Sequence, residues 1–350
     1  MDKKKMRCAI VLGEGKYEDE FAGYSGEPGP RLEFIEIAKA LDADVISYCS
    51  AAASRGAPFT SLFGRYKKVG SAMNAAMLAA NYDRLYVTAE GVGLPLAILL
   101  KARRWKGKIA CVFHNMSWPT KKRVMAWLGH EMFCALITVN RRQAEILTAE
   151  CGMPTAKVIP VFNWVDDKFF SPHHVAKSVS MPFVMACGAE NRDYDTLARA
   201  ADRIKVNVAV YGHGFLAENR KAKNSSPNLN YMARVSYPEL RDAYSACSIV
   251  VVPLNDVAYA AGVTGIVEGM AAGRPMIVTA SRGIEEYIAA FDPVTVVRPG
   301  DDQGMALAID RLQHDESMRQ RLGQQNRLLA EEKCSVDKYA AMVAARMAAI

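Results

Sequence analysis

The chain has 350 residues, of which 51% are hydrophobic and 23% are charged, and its formal net charge is +7. This composition excludes a disordered protein and predicts a globular one with a large core. Because one hydrophobic core rarely serves more than about 250–300 residues, the length favours two domains. The positive charge suits an anionic partner, but charge alone does not choose among nucleic acid, anionic lipid and a phosphorylated substrate.

Three sequence features bear on the cellular compartment. The apolar run at 91–100 is well short of the roughly 20 residues that a membrane-spanning helix needs. The N-terminal segment has lysines before a short apolar stretch, but it lacks the apolar length and the cleavage site of a secretory signal. The eight cysteines form no CxxC pair and no Cys/His ligand spacing, which favours reduced, buried thiols. We therefore expect a cytoplasmic protein.

Short apolar segments alternate with stretches of helical periodicity along the first half of the chain. This alternation is typical of a parallel sheet covered by helices. A polar stretch within 163–180 lacks periodicity and is interpreted as the linker between two domains. In chain order the sequence predicts strands at 9–12, 44–48, 84–88, 108–113, 135–139 and 157–161, and helices near 31–41, 71–81 and 94–104.

The second half repeats this alternation, so the predicted fold class is α/β with two doubly wound, Rossmann-like sheets. The predicted domains are 1–165 and 166–334, and an Ala-rich amphipathic helix at about 335–350 is expected to pack back on the first domain. The predicted strands are 182–187, 207–211, 229–232, 249–253 and 276–279, and the predicted helices are 194–204, 237–246 and 264–272.

Ligands of open parallel sheets bind at the carboxyl ends of the strands, where helix N-termini present free amide groups. The most informative junction follows the strand that ends near residue 253. There Gly262 opens a helix through Val263 and Thr264, whose amides can hold a diphosphate. Glu268 lies one turn further, so its carboxylate can face the ligand and bind two ribose hydroxyls. Taken alone, such a junction is more often a tight turn followed by an exposed glutamate.

Residues 249–288 resemble the C-terminal signature of retaining GT-B glycosyltransferases of family four. The resemblance implies a GT-B fold, with two facing Rossmann-like domains, an interdomain cleft and a donor held mainly by the second domain. It implies that Glu268 is the second glutamate of a Glu-x7-Glu motif and binds the donor ribose. The first glutamate, which usually contacts the sugar, is replaced by Ala260, and Asn255 and Asp256 are candidate substitutes.

The segment 187–197 looks like the first strand, loop and helix of that family's donor domain. Gly188 belongs to this loop, where the family places a basic pair against the diphosphate. Arg192 matches the later basic position, whereas Ala189 stands where an arginine is often found. A guanidinium group can bind phosphate oxygens through two parallel hydrogen bonds, which suits a departing diphosphate.

Further segments extend the resemblance over 159–288. Residues 159–172 are similar to the family's interdomain passage, and 211–214 resemble a Gly-x-Gly turn. The segment 233–240 is similar to the one whose backbone reads the base, and it contains Val235. Each of these likenesses is weak alone. Because the segments follow one another in the family's order, with plausible gaps, the resemblance over 159–288 as a whole is specific.

Two positions in the N-terminal half are implied by the same resemblance. His114 follows a predicted strand, where the family often carries a histidine that faces the donor sugar; a strand-capping histidine is the alternative. Gly26 lies in a glycine-bearing loop at 23–30 that resembles the family's loop near the donor phosphates and the acceptor, although any surface loop can have this composition.

The implied activity is transfer of a sugar from a nucleoside diphosphate sugar to an acceptor hydroxyl, with retention, in polysaccharide, glycolipid or glycoconjugate synthesis. His114 and Glu268 are the predicted catalytic residues. Arg192 and the helix amides are expected to neutralise the leaving diphosphate, so no metal and no cofactor is expected. The acceptor is expected to be a carbohydrate or a lipid-linked sugar.

Basic clusters in the first half, together with Trp118 and Trp127, suggest contact with an anionic membrane surface; solvated helix faces are the alternative. Nucleic acid is not an expected partner, because no recognised binding signature is present. Two other functions remain open. A non-hydrolysing sugar-nucleotide epimerase shares the architecture, and a non-catalytic nucleotide-sugar-binding subunit is favoured by Ala260 and Ala189 but opposed by His114 and Glu268.

Overall fold

The computed structural model describes residues 6–13, 29–48, 66–174, 183–212, 226–233 and 235–349. The chain forms two compact units. Unit 1 contains the described residues up to 161, apart from 29–31, together with 337–349; unit 2 contains 29–31 and the described residues of 162–336. The sequence places the domain limits at 165 and 334, a few residues from these divisions.

In the described part of unit 1, six parallel strands form one sheet. The strands are β1 Cys8–Val11, β2 Asp44–Ile46, β3 Arg84–Val87, β4 Lys108–Phe113, β5 Phe133–Thr138 and β6 Val158–Pro160, in the spatial order β2-β1-β3-β4-β5-β6. The four inner strands, β1, β3, β4 and β5, are buried almost throughout, which explains why they read as continuous apolar runs such as the FCALIT sequence of the fifth strand.

Helices connect these strands and bury small and aliphatic side chains against the sheet. The third helix begins at Glu90, four residues before the predicted start at 94, and includes Pro95 in its interior. The helices are α1 Glu33–Leu41, α2 Lys67–Leu78, α3 Glu90–Ala102, α4 Pro119–Leu128 and α5 Arg141–Glu145, which continues as a π-helical turn over Ile146–Glu150.

In the described part of unit 2, six parallel strands again form one sheet. The chain builds outward from the central β7 to β8 and β9, and then crosses to the other side of β7 to form β10. The strands are β7 Val184–Cys187, β8 Val208–Tyr211, β9 Leu229–Tyr231, β10 Ile249–Val252, β11 Met276–Thr279 and β12 Val296–Val297, in the order β12-β11-β10-β7-β8-β9.

This strand order creates a topological switch point between β7 and β10, where open α/β sheets bind ligands. The helices that flank the sheet are α6 Tyr194–Ile204, α7 Tyr237–Ala246, α8 Val263–Ala271, α9 Glu285–Ile288, α10 Asp302–His314 and α11 Glu316–Lys333. The final helix, α12 Val336–Ala348, belongs to unit 1 from Asp337 onward, and its buried Tyr339 hydroxyl lies 3.2 Å from that of Tyr86 on β3.

The α/β prediction with two doubly wound sheets is confirmed. The sequence interpretation did not identify α4, α5, α9, α10, α11 or β12. Within the described part of the chain, no helix combines the length and apolar character that are needed to cross a bilayer.

Candidate functional site

A cavity of about 270 Å³ lies in unit 2 at the switch point between β7 and β10. The strand–loop–helix segment after β7 forms one side, and the N-terminal turns of α7 and α8 form the others. The cavity is lined by Cys187, Gly188, Arg192, Tyr211, Gly212, Val235, Ser236, Tyr237, Leu240, Thr264, Gly265 and Glu268.

The Arg192 side chain is buried and held in a fixed position beneath the cavity. Its Nε donates to the Cys187 carbonyl over 2.9 Å, and its Nη1 donates to the Glu190 carbonyl over 2.8 Å. Gly188 has φ +99°, and a Cβ at this position would overlap the guanidinium group. Among the described residues Nη2 has no hydrogen-bond partner, so the group retains donors for an anion at the cavity.

The N-terminus of α8 forms the adjacent part of the cavity wall. Gly262 is its N-cap residue with φ +82°, and a Cβ there would lie 2.8 Å from Leu254 and 3.2 Å from Arg192 Nη1. The first backbone bond within the helix runs from the Ile266 amide to the Gly262 carbonyl. The preceding amides, including those of the buried Val263 and of Thr264, therefore have no partner within the helix and present the positive end of its dipole.

Glu268 lies inside this cavity with only 7% of its surface exposed, so the alternative of an exposed helix residue is wrong. Its Oε2 accepts a hydrogen bond of 3.0 Å from the Tyr244 hydroxyl of α7. Burial raises the pKa of Glu268 to about 7, against the opposing effects of the Tyr244 hydrogen bond and the Arg192 charge. The Cys187 thiol lies 3.1 Å from the same hydroxyl, so a chain of three buried polar groups runs under the cavity.

The wall opposite Arg192 is mostly apolar and aromatic. Val235 precedes the N-cap of α7 and Tyr237 is the first residue of this helix, whose N-terminus is fixed by a capping box between Ser236 and Glu239. Tyr211 at the end of β8 completes this wall. A flat ring with polar edges can lie against such a surface and reach nearby backbone groups.

His114 lies in unit 1, directly after β4, and its ring is exposed. Its Nε2 is 3.2 Å from the Thr88 carbonyl, and its backbone amide donates to Glu90 over 3.0 Å. Burial would raise the pKa of Glu90, but hydrogen bonds from Lys121 and from the His114 amide lower it. The buried Glu90 carboxylate also pairs with Lys121 at 2.7 Å. The backbone of His114 is therefore bound to a carboxylate that an ion pair holds in place.

The remaining predicted positions have mixed outcomes. Gly26 lies outside the residues that the structure describes. Asp256 is exposed and pairs with Arg282 at 2.9 Å, and Ala260 packs against the core of unit 2. Among the described residues, no group of three or more His, Cys, Asp or Glu side chains is arranged to hold a metal ion.

Comparisons with known proteins agree with this architecture. Residues 183–329 match the model of the family described as Glycosyl transferases group 1. In structure, the chain is similar to Anabaena HepE solved with UDP, with a TM-score of 0.74 and 16% identity over 99% of this chain and 100% of HepE. The fold is GT-B. A glycosyltransferase from Rickettsia africae has a TM-score of 0.69 and 13% identity over 99% of both chains.

The GT-B likeness extends to a sucrose-phosphate synthase from Thermosynechococcus elongatus, with a TM-score of 0.63 and 15% identity over 80% of this chain and 78% of that one. No curated protein sequence matches the chain. The match at 183–329 contains all the residues that line the cavity, since these run from Cys187 to Glu268.

The structure brings five predicted donor-site residues to one cavity, namely Gly188, Arg192, Val235, Thr264 and Glu268, and places Gly262 and Val263 at the adjacent helix end. The sequence interpretation missed Tyr244 and Cys187 as partners within the site. Tyr244 lies in an ordinary amphipathic helix, and no local pattern distinguishes a core tyrosine from one that contacts a carboxylate.

Unit 1 contains a basic depression of about 610 Å³. Its walls include Lys101, Arg104, Lys106, Lys108 and Trp127. Lys101 lies over the Trp127 ring at 4.5 Å from the centroid, and this ring is 60% exposed. The charged groups of Arg104 and Lys106 have no ion-pair partner among the described residues.

Proposed function

We propose that this protein is a retaining glycosyltransferase of the family-four type, which moves a sugar from a nucleoside diphosphate sugar to an acceptor hydroxyl. The observation that carries the proposal is the cavity of unit 2, where a fixed guanidinium, a helix N-terminus and a buried carboxylate meet. The match to the group 1 family over 183–329 supports it. So do the crystal structures of Anabaena HepE in complex with UDP and with UDP-glucose.

The donor is proposed to lie across the cavity from α7 to Arg192. The apolar wall at Val235 and Tyr237 accommodates the base, and its main-chain groups bind the polar edge. Glu268 accepts hydrogen bonds from the ribose hydroxyls. The diphosphate lies between Arg192 and the amides at Thr264, where the guanidinium and the helix dipole both favour negative charge.

These residues then stabilise the leaving group. When the bond between the anomeric carbon and the diphosphate breaks, negative charge increases on the phosphate oxygens, and the fixed donors are already oriented towards them. We propose that this arrangement needs no divalent cation. His114 is proposed to contact the donor sugar; because its Nε2 faces the Thr88 carbonyl, the Nδ1 side of the ring is the one that remains for a ligand.

The acceptor is proposed to be a carbohydrate or a lipid-linked sugar that is reached from the cytoplasmic side of a membrane, in polysaccharide or glycolipid synthesis. The basic depression supports contact with anionic lipid, because unpaired cations lie beside the exposed Trp127. Co-sedimentation with vesicles that contain phosphatidylglycerol, against neutral vesicles, tests this partner. Equal binding to both vesicle types, or none to either, would reject it.

A non-catalytic nucleotide-sugar-binding subunit is a second candidate, because Ala260 and Ala189 replace residues that the related enzymes use. Donor binding without any turnover would favour it. The presence of the cavity contacts around Glu268 and Arg192 does not distinguish a transferase from a binding subunit, since both functions need donor binding. Product analysis separates them, and it also identifies an epimerase, which would release an isomerised nucleotide sugar without an acceptor.

The first experiment measures thermal stabilisation by uridine, guanosine and adenosine diphosphate sugars. The variants are Glu268→Gln and Arg192→Lys, which keep side-chain volume in a buried site. Arg199→Lys is the matched control, because Arg199 lies on α6, is about half exposed and pairs with Asp302. We expect one donor class to stabilise the wild type and the control, with a smaller effect in both cavity variants.

The same donors are then incubated with membrane extract as the source of acceptor. Release of nucleoside diphosphate together with a glycosylated product, whose anomeric configuration is determined by NMR, would support a retaining transferase. Absence of stabilisation by every donor would reject the proposed function.

A further inference from the structure

A second polar cluster lies beside the donor cavity, where the loop after β7 meets the loop before α8. The Tyr259 hydroxyl donates to Glu190 Oε1 over 2.7 Å, and the Asn191 side-chain amide donates to the same hydroxyl. The backbone joins the two loops as well, because the Asn255 amide donates to the Asn191 carbonyl over 3.0 Å. None of these residues is among those that line the cavity itself.

The backbone on both sides of this cluster is constrained. Asn191 has φ +50°, in the left-handed region, where asparagine is one of the few residues with a side chain that is tolerated. The Tyr259 carbonyl lies so close to Gly283 that any Cβ at position 283 would overlap it. Burial raises the pKa of Tyr259 to about 12, and the neighbouring Glu190 carboxylate acts in the same direction, so the hydroxyl remains a donor. These contacts hold the Glu190 carboxylate in one orientation.

The cluster continues directly from the phosphate-binding side of the cavity. Arg192 Nη1 donates to the carbonyl of Glu190, and the same nitrogen lies against Gly262, three residues after Tyr259. A nucleoside diphosphate sugar is a linear sequence of base, ribose, diphosphate and sugar. In the proposed placement, with base and ribose at the α7 wall and Glu268 and diphosphate at Arg192, the sugar is expected to extend past Arg192 towards this cluster.

We propose that Glu190, oriented by Tyr259, binds the hydroxyl groups of the transferred sugar and selects which nucleoside diphosphate sugar is accepted. This inference rests on the proposed function. Oε1 of Glu190 accepts a hydrogen bond from Tyr259, while Oε2 of Glu190 has no partner among the described residues, so lone pairs remain for sugar hydroxyls. The neighbouring Ala260 offers no hydrogen-bonding side chain, and Asp256 is already paired with Arg282.

The chemistry of a fixed carboxylate defines the class of sugar. Neutral sugars with adjacent free hydroxyls can donate one or two hydrogen bonds to it. Sugars that carry their own carboxylate are disfavoured, because like charges repel and the Glu190 acceptors are left unpaired. The subsite is therefore expected to accept a neutral hexose and to reject a hexuronic acid.

The test compares each nucleoside diphosphate with its own sugar conjugate by isothermal titration. The pairs are UDP with UDP-glucose, GDP with GDP-mannose and ADP with ADP-glucose, and UDP-glucuronic acid is the charged comparison. The variants are Glu190→Gln, which keeps the shape of an exposed side chain, and Tyr259→Phe, which removes the orienting hydroxyl. Glu316→Gln, an exposed carboxylate at the start of α11 that does not line the cavity, is the control.

For the pair that binds the wild type, Glu190→Gln is expected to weaken the sugar conjugate about tenfold, the scale of one hydrogen bond to a charged group. The affinity for the free nucleoside diphosphate is expected to remain unchanged. Tyr259→Phe is expected to weaken only the conjugate, by a smaller factor of about three. Glu190→Gln should also reduce discrimination against the hexuronic acid where uridine nucleotides bind.

Two failures have different meanings. If Glu190→Gln leaves the ratio of the two affinities unchanged, or weakens both ligands equally, the subsite assignment is overturned while the proposed function stands. If the wild type binds none of the seven ligands, the proposed function is itself overturned, and this assignment with it.

Discussion

The Tyr244 hydroxyl lies 3.0 Å from Oε2 of Glu268, and it links α7 to α8 under the cavity of unit 2. This contact places the carboxylate where it lines the cavity and supplies a hydrogen bond that favours its charged form. Burial acts in the opposite direction and raises the pKa of Glu268 to about 7. The charge of Glu268 is therefore balanced near neutral pH, and small changes around it alter its ionisation.

Donor binding is predicted to weaken as the pH falls below about 7. The ribose hydroxyls bind best to a charged carboxylate, and Glu268 becomes protonated in this range. Tyr244→Phe removes a hydrogen bond that lowers the pKa, so the midpoint is expected to rise by about one pH unit. Isothermal titration with a nucleoside diphosphate sugar between pH 5.5 and 9 measures the midpoint of the wild type and that of Tyr244→Phe. The phosphates of the ligand are diesters and do not titrate in this range, so the pH dependence reports on the protein.

The groups that face Glu268 are Tyr244 from α7, Cys187 from β7 and Arg192 from the loop after β7. The matched control is Tyr287→Phe, which removes another buried hydroxyl, the one that accepts from the Asn163 amide over 2.7 Å. Its binding profile should keep the wild-type midpoint. A Tyr244→Phe profile that coincides with the wild type would show that this hydroxyl does not set the ionisation of Glu268.

Glu268→Gln is predicted to stabilise unit 2 at pH 8 while it weakens donor binding. The folded pKa of Glu268, about 7, lies above its ordinary value of 4.5, so its favourable contribution is fully present below 4.5 and lost as pH rises through 7. Glutamine avoids the buried charge, and the expected gain at pH 8 is at most about 3 kcal/mol. Urea denaturation at pH 5 and pH 8 tests this.

The gain in stability of Glu268→Gln over the wild type should be much smaller at pH 5 than at pH 8, because Glu268 of the folded wild type is mostly protonated at pH 5. Glu316→Gln, at an exposed position on α11, should show no such pH dependence. Equal stability of Glu268→Gln and the wild type at both pH values would contradict a raised pKa in the folded protein.

Transfer activity is predicted to be independent of divalent cations. Arg192 and the α8 amides are proposed to provide the positive potential for the leaving diphosphate, and the guanidinium is already held by two backbone carbonyls. Sugar transfer should therefore proceed at the same rate with excess EDTA and with added Mg²⁺ or Mn²⁺. Loss of activity in EDTA that is recovered by either ion would reject this role for Arg192 and α8.

The sequence predicts the fold because burial of both faces makes parallel strands such as β5 and β10 continuous apolar runs. The glycine that follows a predicted strand indicates the helix start at Gly262, whereas Gly188 and Arg192 are implied by the family resemblance of 187–197. Contacts across elements were not predictable. Tyr244 reaches Glu268 from another helix, and Tyr259 reaches Glu190 from another loop, and such pairs depend on packing rather than on spacing along the chain.

His114→Ala is predicted to lower the turnover rate by about a hundredfold, the scale of one positioned group at the reacting centre. Because its backbone is held by Glu90 and its ring is exposed, the substitution should not disturb the sheet of unit 1. The affinity for the free nucleoside diphosphate should change little, since the cavity that is proposed to hold it lies in unit 2. His130→Ala, another exposed histidine of unit 1, is the control, and equal rates for the two variants would remove His114 from the reaction.

Gly188→Ala is predicted to reduce donor affinity more than tenfold and to destabilise unit 2 by about 1–2 kcal/mol. Two effects combine at this position. The φ of +99° strains any residue with a Cβ, and the added methyl group would overlap the Arg192 guanidinium and displace it from the Cys187 carbonyl. Affinity is measured by titration with the nucleoside diphosphate sugar, and stability by urea denaturation.

Gly300→Ala separates these two effects. Gly300 also has a positive φ, +75°, but no atom lies within 4 Å of an added Cβ. This variant should therefore share the backbone strain and lose stability through that strain alone, while its donor affinity stays at the wild-type value. If both variants lose stability and neither loses affinity, Arg192 does not depend on Gly188 for its position, and the contact between them has no part in donor binding.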